Sequence, residues 1–244
     1  RPPRSTLFPY TTLFRSAEPR PHRPPPVGGT VTVAAVNAQN WFTTLGSRGA
    51  ATAEARDRQL AKLAAALHAL DADAVGLVEI ENNGRTALDA LVDALNARAG
   101  PGVYAALTHP DPGPDAIQVG ILYKPAVLTP AGPPRTSADP AFRRRPLAQT
   151  FTRGGRGTPF TVIVNHYKSK RCDGGPTGPD ADRGDGRGCW NGLRVRQARA
   201  TLAMIDALRL PGPVVLGDLN AYGAEDPIAV LRAGGLADVV AEHV

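Results

Sequence analysis

The sequence predicts an α+β protein in which two β-sheets pack face to face between layers of helices, a four-layer α/β/β/α sandwich. Helical and strand patterns alternate at both ends of the chain, and a run of successive strands lies between them. The 244 residues are enough for one sizeable core. No apolar run reaches the roughly 18 residues that a membrane span needs, so we expect no transmembrane segment.

The chain begins with two segments that we exclude from the predicted domain, residues 30–244. Residues 1–16 match one reading frame of a widely used synthetic sequencing adapter, and we interpret them as an artefact. Residues 17–29 are rich in proline and indicate an extended linker. Without the three arginines of residues 1–16, the formal net charge falls from +6 to +3, so charge alone does not indicate a nucleic-acid partner.

Strands and helices alternate in the first part of the domain. Residues 30–37 are apolar and β-branched, which favours a buried strand, and residues 72–81 form a second apolar run that ends in acids. Between them, residues 54–70 place leucines and alanines on one stripe at helical spacing. Residues 85–98 repeat that amphipathic pattern and predict a second helix.

The pattern then changes to strands separated by turn residues, which favours antiparallel pairing. These strands are predicted at GVYAALT (102–108), IQVGILYK (117–124), RPLAQTFT (145–152) and PFTVIVNH (159–166). A loop rich in Gly and Asp follows. The last predicted elements are a helix (191–210), a strand (213–218) and a short helix (226–233).

Polar residues follow four apolar strands at the point where each strand ends. They are Asn37, Glu79, His166, and the pair Asp218 and Asn220. Mg²⁺ prefers oxygen ligands and usually takes one or two carboxylates together with water and substrate phosphate. A single acid at a strand end is more often a helix cap or part of a solvated turn. Four such positions in one chain indicate a shared metal and phosphate site.

Seven segments resemble the endonuclease/exonuclease/phosphatase superfamily with the deoxyribonuclease-I-like fold, and most closely its bacterial extracellular nucleases. The resemblance runs from about residue 30 to the end of the chain. Its segments are NAQNWF (37–42), DAVGLVEIENN (73–83), DAIQVGILYKP (115–125), RPLAQTF (145–151), VNHYKSK (164–170), CWNGLRVRQA (189–198) and LGDLNAYGAEDPI (216–228).

The resemblance implies a Mg²⁺-dependent phosphodiesterase that hydrolyses DNA, with RNA as a second candidate substrate and Mn²⁺ or Ca²⁺ as alternative metals. It makes Glu79 the principal metal ligand, and Asn37 and Asp218 would help to hold the metal and the scissile phosphate. Asn220 would hydrogen-bond a phosphate oxygen, and His166 would contact or protonate the phosphoryl group. Phosphodiester hydrolysis needs cations or donors on the oxygens that gain charge, which these residue types supply.

Four further residues have two open interpretations each. Lys168 and Lys170 are either plain surface charges or contacts to the nucleic-acid backbone. Arg145 is either a surface ion-pair residue or a phosphate clamp. Asp115 begins a strand that passes near His166, so it either orients that ring or caps a turn.

Cys172 and Cys189 bracket sixteen residues that are too rich in Gly and Asp to fold by burial. A disulfide between them would stabilise the loop by about 3 kcal/mol. The extracellular members of the family have a similar cysteine-bounded acidic loop, which implies oxidation and export, whereas two free thiols in a cytosolic protein are the alternative. The aspartates lack the distal Glu of a hand-type Ca²⁺ loop, which favours a solvated loop.

The resemblance also implies further C-terminal strands and a Ser-Asp-His motif whose histidine is the general base. His243 comes too soon after Asp218 to match it, so we expect a C-terminally truncated, poorly active fragment that is monomeric. Two alternative functions remain open. One is a phosphatase or phospholipid phosphodiesterase of the same fold, and the other is a non-catalytic phosphate-binding or nucleic-acid-binding module.

Overall fold

A computed structural model describes residues 28–239 and 241 of the chain. The interpretation of residues 1–16, most of the predicted linker at residues 17–29, and His243 lie outside the described residues. No helix within the described part is long and apolar enough to cross a membrane.

The first sheet has four strands in the order β1-β2-β4-β3. β1 runs parallel to β2, and β4 runs antiparallel to both β2 and β3. Helices α1 and α2 belong to this half of the molecule. The bounds are β1 (Val33–Trp41), α1 (Ala53–Leu70), β2 (Ala74–Glu81), α2 (Thr86–Ala99), β3 (Ala105–Ala106) and β4 (Ile117–Tyr123).

The second sheet has the order β5-β6-β7-β8. β5, β6 and β7 are antiparallel neighbours, whereas β8 is parallel to β7 because a long crossover that contains helix α3 joins them. A short 3₁₀ helix, Gly178–Asp180, precedes α3. The bounds are β5 (Leu128–Pro130), β6 (Leu147–Arg153), β7 (Arg156–His166), α3 (Asn191–Leu208), β8 (Pro213–Asp218) and α4 (Asp226–Ala233).

Three apolar layers separate the four structural layers, which confirms the predicted fold class. Leu67 of α1 and Leu91 of α2 pack with strand residues of the first sheet. Side chains alternate along β7, so Val162 and Val164 face the first sheet while Ile163 packs against α3. The molecule is therefore a helix layer, two sheets and a second helix layer.

The helices begin and end for local reasons. The Thr52 side chain accepts a hydrogen bond from the backbone N–H of Ala55 at 3.2 Å, which satisfies one free donor at the start of α1. Asp71 ends α1 in a left-handed conformation, with φ of 50°, and donates its N–H to the Leu67 carbonyl. These contacts place the helix ends close to the predicted residues 54 and 70.

Some details differ from the sequence-based expectations. β1 continues to Trp41, four residues beyond Asn37. The strand expected at residues 102–108 is reduced to two paired residues, and β5 was not expected. Antiparallel pairing holds within the central run of strands, whereas the first and last strands pair in parallel.

The two sheets lie close together at Gly76 of β2. A Cβ atom there would lie 2.1 Å from Leu216 Cδ1 and 2.8 Å from Val164 Cγ2, so a larger residue does not fit without a shift. This glycine lets β2 lie directly against β7 and β8. The ends of strands from both sheets consequently meet at one edge of the sandwich.

Candidate active site

Asn37 joins the two sheets at this edge. Its Nδ2 atom donates to Glu79 Oε1 at 3.0 Å and to Asp218 Oδ2 at 3.3 Å, although Asp218 lies 181 positions further along the chain. Asp218 is in turn the register partner of His166 across the β7–β8 ladder. The structure thus brings together four of the five residues that were predicted from strand ends.

Two irregularities in the first sheet present Glu79 to this cluster. The register of β2 shifts between Leu77 and Ile80, and Glu79 has a left-handed φ of 62°. A bulge of this kind redirects a side chain that the regular pleat would send elsewhere. The carboxylate is also held by Asn40, whose backbone N–H donates to Glu79 Oε2 at 2.9 Å. Strained backbone of this kind is typical of functional sites.

Asn220 shapes the chain that leaves β8. Its backbone N–H donates to Asp218 Oδ1 at 2.9 Å, and its φ of 48° is left-handed. Its side-chain Nδ2 donates to the Tyr167 carbonyl at 3.1 Å. In this arrangement Asn220 fixes Asp218 and links the segments that follow β7 and β8. A hydrogen bond to a phosphate oxygen would use the second hydrogen of Nδ2.

His166 is buried, and its Nδ1 atom has no hydrogen-bond partner among the described residues. Burial, and then the charge of Arg144, lower the pKa of the ring to about 4. The carboxylates of Asp218 and Asp115 oppose that shift but do not cancel it. The ring is therefore neutral near pH 7, and it can serve as a hydrogen-bond donor or acceptor without carrying charge.

An arginine cluster surrounds Asp115 beside His166. The Asp115 carboxylate lies 3.2 Å from Arg144, 3.5 Å from Arg48 and 4.0 Å from Arg143. Three guanidinium groups against one carboxylate leave this side of the site positively charged. The Arg48 side chain is 46% exposed, so its guanidinium is accessible to an anion.

Asp115 does not hydrogen-bond the ring of His166 directly. It holds Arg144 instead, which donates to the His166 carbonyl at 3.3 Å and to the Tyr167 carbonyl at 2.7 Å. Its action on the histidine is through the backbone and through charge. Asp115 also makes the contact expected of a turn cap, since its Oδ1 atom accepts a hydrogen bond from the backbone N–H of Ile117 at 3.3 Å.

Sequence reasoning selected Arg145 and missed Arg48 and Arg144. Arg145 forms an ion pair with Asp111, as the surface interpretation expects, and its role as a phosphate clamp stays a prediction. Three consecutive arginines, residues 143–145, gave a signal for positive charge here. The signal could not choose among them, because the local chain direction decides which one points inward.

The two lysines after β7 contact aromatic rings. Lys168 Nζ lies 5.3 Å from the centroid of the Trp190 ring, and Lys170 Nζ lies 4.2 Å from that of Tyr222. Lys170 also forms an ion pair with Glu225. Lys168 Nζ also lies 3.6 Å from Asp173 Oδ2. These contacts are all within the chain, and a contact of either lysine to the nucleic-acid backbone stays a prediction.

A disulfide joins Cys172 and Cys189, whose Cα atoms lie 5.1 Å apart. Arg194 fills the space beneath the loop, with 0% of its surface exposed. It donates to the carbonyls of Cys189 and Arg187, each at 2.7 Å, and to that of Lys168 at 3.3 Å. A buried cation therefore organises the loop backbone beside the lysines.

The aspartates of this loop are used in local contacts. Asp182 and Asp185 each accept a backbone N–H two residues further along, from Gly184 and Arg187 respectively. Within residues 28–239 and 241, no group of three or more His, Cys, Asp or Glu side chains could hold a metal ion.

Glu79 and Asp218 are two carboxylates that meet at this edge of the sandwich. Both carboxylates reach the same Asn37 amide, and each oxygen that accepts one hydrogen bond keeps lone-pair capacity for another partner. Two carboxylates with water and a substrate phosphate are a usual ligand set for Mg²⁺. The residues present are thus compatible with a divalent cation at this edge.

Comparisons with known proteins agree with the geometry. Residues 36–242 match the family model described as "Endonuclease/Exonuclease/phosphatase family". A search of curated proteins found no match. Similar solved structures include the human Nocturnin catalytic domain with bound sulfate anion, at 19% identity over 82% of this chain and 68% of that chain, with a TM-score of 0.54.

Two other structures share the fold. The mannosyl-6-phosphatase of Bacteroides thetaiotaomicron has 16% identity over 84% of this chain and 71% of that chain, with a TM-score of 0.59. D. rerio TDP2, complexed with single strand DNA product, has 17% identity over 84% of this chain and 64% of that chain, with a TM-score of 0.50. The chain belongs to the endonuclease/exonuclease/phosphatase family, whose members are hydrolases of phosphoester bonds.

Proposed function

We propose that the protein is a secreted, divalent-metal-dependent phosphodiesterase that cleaves nucleic acid, with DNA as the first candidate substrate and RNA as the second. The observation that carries the proposal is the meeting of Glu79 and Asp218, from different sheets, at the amide of Asn37. His166 and the arginine cluster adjoin the same point. Carboxylates for a cation beside guanidinium groups for an anion are what phosphate-ester chemistry requires.

Glu79 and Asp218 would hold Mg²⁺, with Mn²⁺ or Ca²⁺ as alternatives. The bound ion would supply positive charge to the phosphoryl oxygens. Asn37 keeps the two carboxylates together through its Nδ2 atom, and its exposed position leaves it within reach of the phosphate as well. The backbone bond from Asn40 restrains Glu79, so the carboxylate is preorganised before substrate arrives.

His166 and Arg48 would bind the phosphoryl oxygens from the other side. The neutral imidazole donates one ring N–H to an oxygen that gains charge in the transition state, and it carries no extra proton near pH 7. Arg48 is only partly engaged, at 3.5 Å from Asp115, so its guanidinium can turn to the phosphate. Arg144 is mostly buried and acts as a positioning residue for the His166 backbone.

The disulfide supports the secreted part of the proposal. Disulfides persist in oxidising compartments and are rare in the cytosol, and Cys172 and Cys189 are joined across a loop that has little other apolar burial. A test is to express the chain in an oxidising and in a reducing compartment and compare thermal unfolding. We expect the oxidised chain to unfold at the higher temperature. Equal unfolding temperatures would show that the disulfide does not stabilise the fold and would remove the support it gives to secretion.

The enzymatic part is tested by cleavage of plasmid and single-stranded DNA with and without Mg²⁺, together with calorimetric titration of Mg²⁺. Glu79→Gln and Asp218→Asn should each lower cleavage by about 10²-fold, because each removes a charge from the metal site. Asp57→Asn, a change of an exposed acid on α1, is the matched control. Cleavage that persists in EDTA, or that Glu79→Gln leaves unchanged, would show that the proposal is wrong.

The same assay separates the alternatives. Faster release of phosphate from a sugar phosphate would indicate a phosphatase, and hydrolysis of a phospholipid headgroup ester would indicate a phospholipid phosphodiesterase. Retained Mg²⁺ and DNA binding without cleavage would indicate a binding module.

A further inference from the structure

The chain segments that follow β7 and β8 remain in contact beyond the end of the ladder. His166 and Asp218 are register partners, and the Tyr167 N–H donates to the Asp218 carbonyl at 2.9 Å. Asn220 then donates its side-chain Nδ2 to the Tyr167 carbonyl at 3.1 Å. The two segments therefore run side by side from the candidate active site onward.

Tyr222 follows Asn220 in the segment after β8. The residue is 76% exposed, the largest value among the large hydrophobic residues that the described part of the chain exposes. The Lys170 ammonium lies 4.2 Å from the ring centroid and is also paired with Glu225. One side of the ring is thus supported by a fixed cation, and most of its surface remains open.

The ring lies close enough to the site to contact a bound substrate. Tyr222 lies four positions after Asp218 in the chain, and four extended residues span at most about 14 Å. The aromatic ring is consequently within reach of the nucleotide next to a phosphate held between Asp218 and His166. Lys170 is occupied by Glu225, so its contribution is to hold the ring rather than to bind phosphate.

We propose that Tyr222 is a stacking platform for an unpaired nucleobase next to the scissile phosphate, with Lys170 as its support. This rests on the proposed function and specifies the substrate class as single-stranded nucleic acid. Aromatic side chains beside a cationic groove bind single strands by base stacking, which tolerates any base because every base has a π-face. Bases within a duplex are already stacked and paired, so a duplex would bind less tightly here.

The inference is tested by fluorescence anisotropy with a labelled single-stranded DNA oligonucleotide and an abasic analogue of the same length. Tyr222→Ala should raise the Kd for the oligonucleotide about tenfold, equivalent to about 1.4 kcal/mol, and leave the abasic Kd unchanged. Tyr222→Phe should retain binding because the ring remains. Val239→Ala, which shortens another exposed apolar side chain, is the matched control.

A second measurement reports stacking directly. An oligonucleotide that contains 2-aminopurine should lose fluorescence on binding the wild-type chain and Tyr222→Phe, but not Tyr222→Ala. Equal loss of affinity for both oligonucleotides, or no loss for either, would overturn the stacking role. Failure of the proposed function would appear separately, as absent Mg²⁺-dependent cleavage in a chain that still distinguishes the base-containing strand from the abasic one.

Discussion

Gly217→Ala should destabilise the fold and displace the candidate metal site together. Gly217 has a φ of 118°, a backbone conformation that residues other than glycine rarely adopt. A Cβ atom there would lie 2.1 Å from the Asn165 carbonyl oxygen, and about 3 Å separates non-bonded atoms of this kind at closest approach. Since the clashing atoms are backbone of the neighbouring strand β7, no rotamer change relieves the contact.

The expected cost adds two terms. Overpacking of this kind costs about 1–3 kcal/mol, and a residue held in a rare backbone conformation costs about 1–3 kcal/mol. We expect a loss of about 3 kcal/mol, which lowers the unfolding temperature by about 6–12 °C in a domain of this size. Asp218 follows directly in sequence, so the carboxylate should also move away from Asn37 and bind Mg²⁺ less tightly.

The assay is urea and thermal unfolding followed by circular dichroism, with calorimetric titration of Mg²⁺. Gly223→Ala is the matched control, because the nearest atom to its Cβ would be Asp238 Oδ2 at an ordinary 3.6 Å. The reasoning is refuted if Gly217→Ala unfolds within about 0.5 kcal/mol of that control. It is also refuted if the metal affinity stays at the wild-type value while stability falls.

Two further predictions concern Arg194, which is buried, and His109, which is half-buried. Arg194→Met should lower the free energy of unfolding by about 3 kcal/mol, because three loop carbonyls lose their donor. Arg199→Met, on the exposed face of α3, is the control and should change it little. Equal effects of the two variants in urea titrations would contradict this prediction. Burial lowers the pKa of His109 from the ordinary 6.5 to about 4. Between these two pH values the unfolded chain binds a proton at His109 that the folded chain does not bind. The free energy of unfolding should therefore fall as the pH falls through this range. His109→Gln should make that loss smaller in unfolding titrations at pH 7 and pH 4.5; an unchanged pH dependence would contradict the assignment.

The helices and most strands could be predicted because their signals are local. The leucine stripe of α1 and the apolar run of β7 each repeat at the period of their own secondary structure, and the observed bounds lie close to the predicted ones. β3 and β5 have two and three residues, which is too short to produce a period. Their pairing depends on neighbouring strands that are distant in sequence.

The sequence by itself determined the fold class, the family and the residues at strand ends, because an apolar strand followed by a polar residue is visible in a few consecutive letters. Only the tertiary structure decided how these residues meet. The bulge at Glu79 turns its carboxylate toward Asn37, and the close approach at Gly76 lets Asp218 reach the same amide from the other sheet. Contacts across such distances along the chain leave no local pattern.

The same reason explains why the sequence did not show the contacts of Arg144 or the contact between Tyr222 and Lys170. Residues 143–145 are all arginines. Only the path of the folded chain directs Arg144 to the backbone of His166, while Arg145 forms an ion pair with Asp111. Tyr222 and Lys170 come together because two strand exits run side by side. The sequence determines which side chains are present, and the direction of each side chain in the packed chain decides which of them form the site.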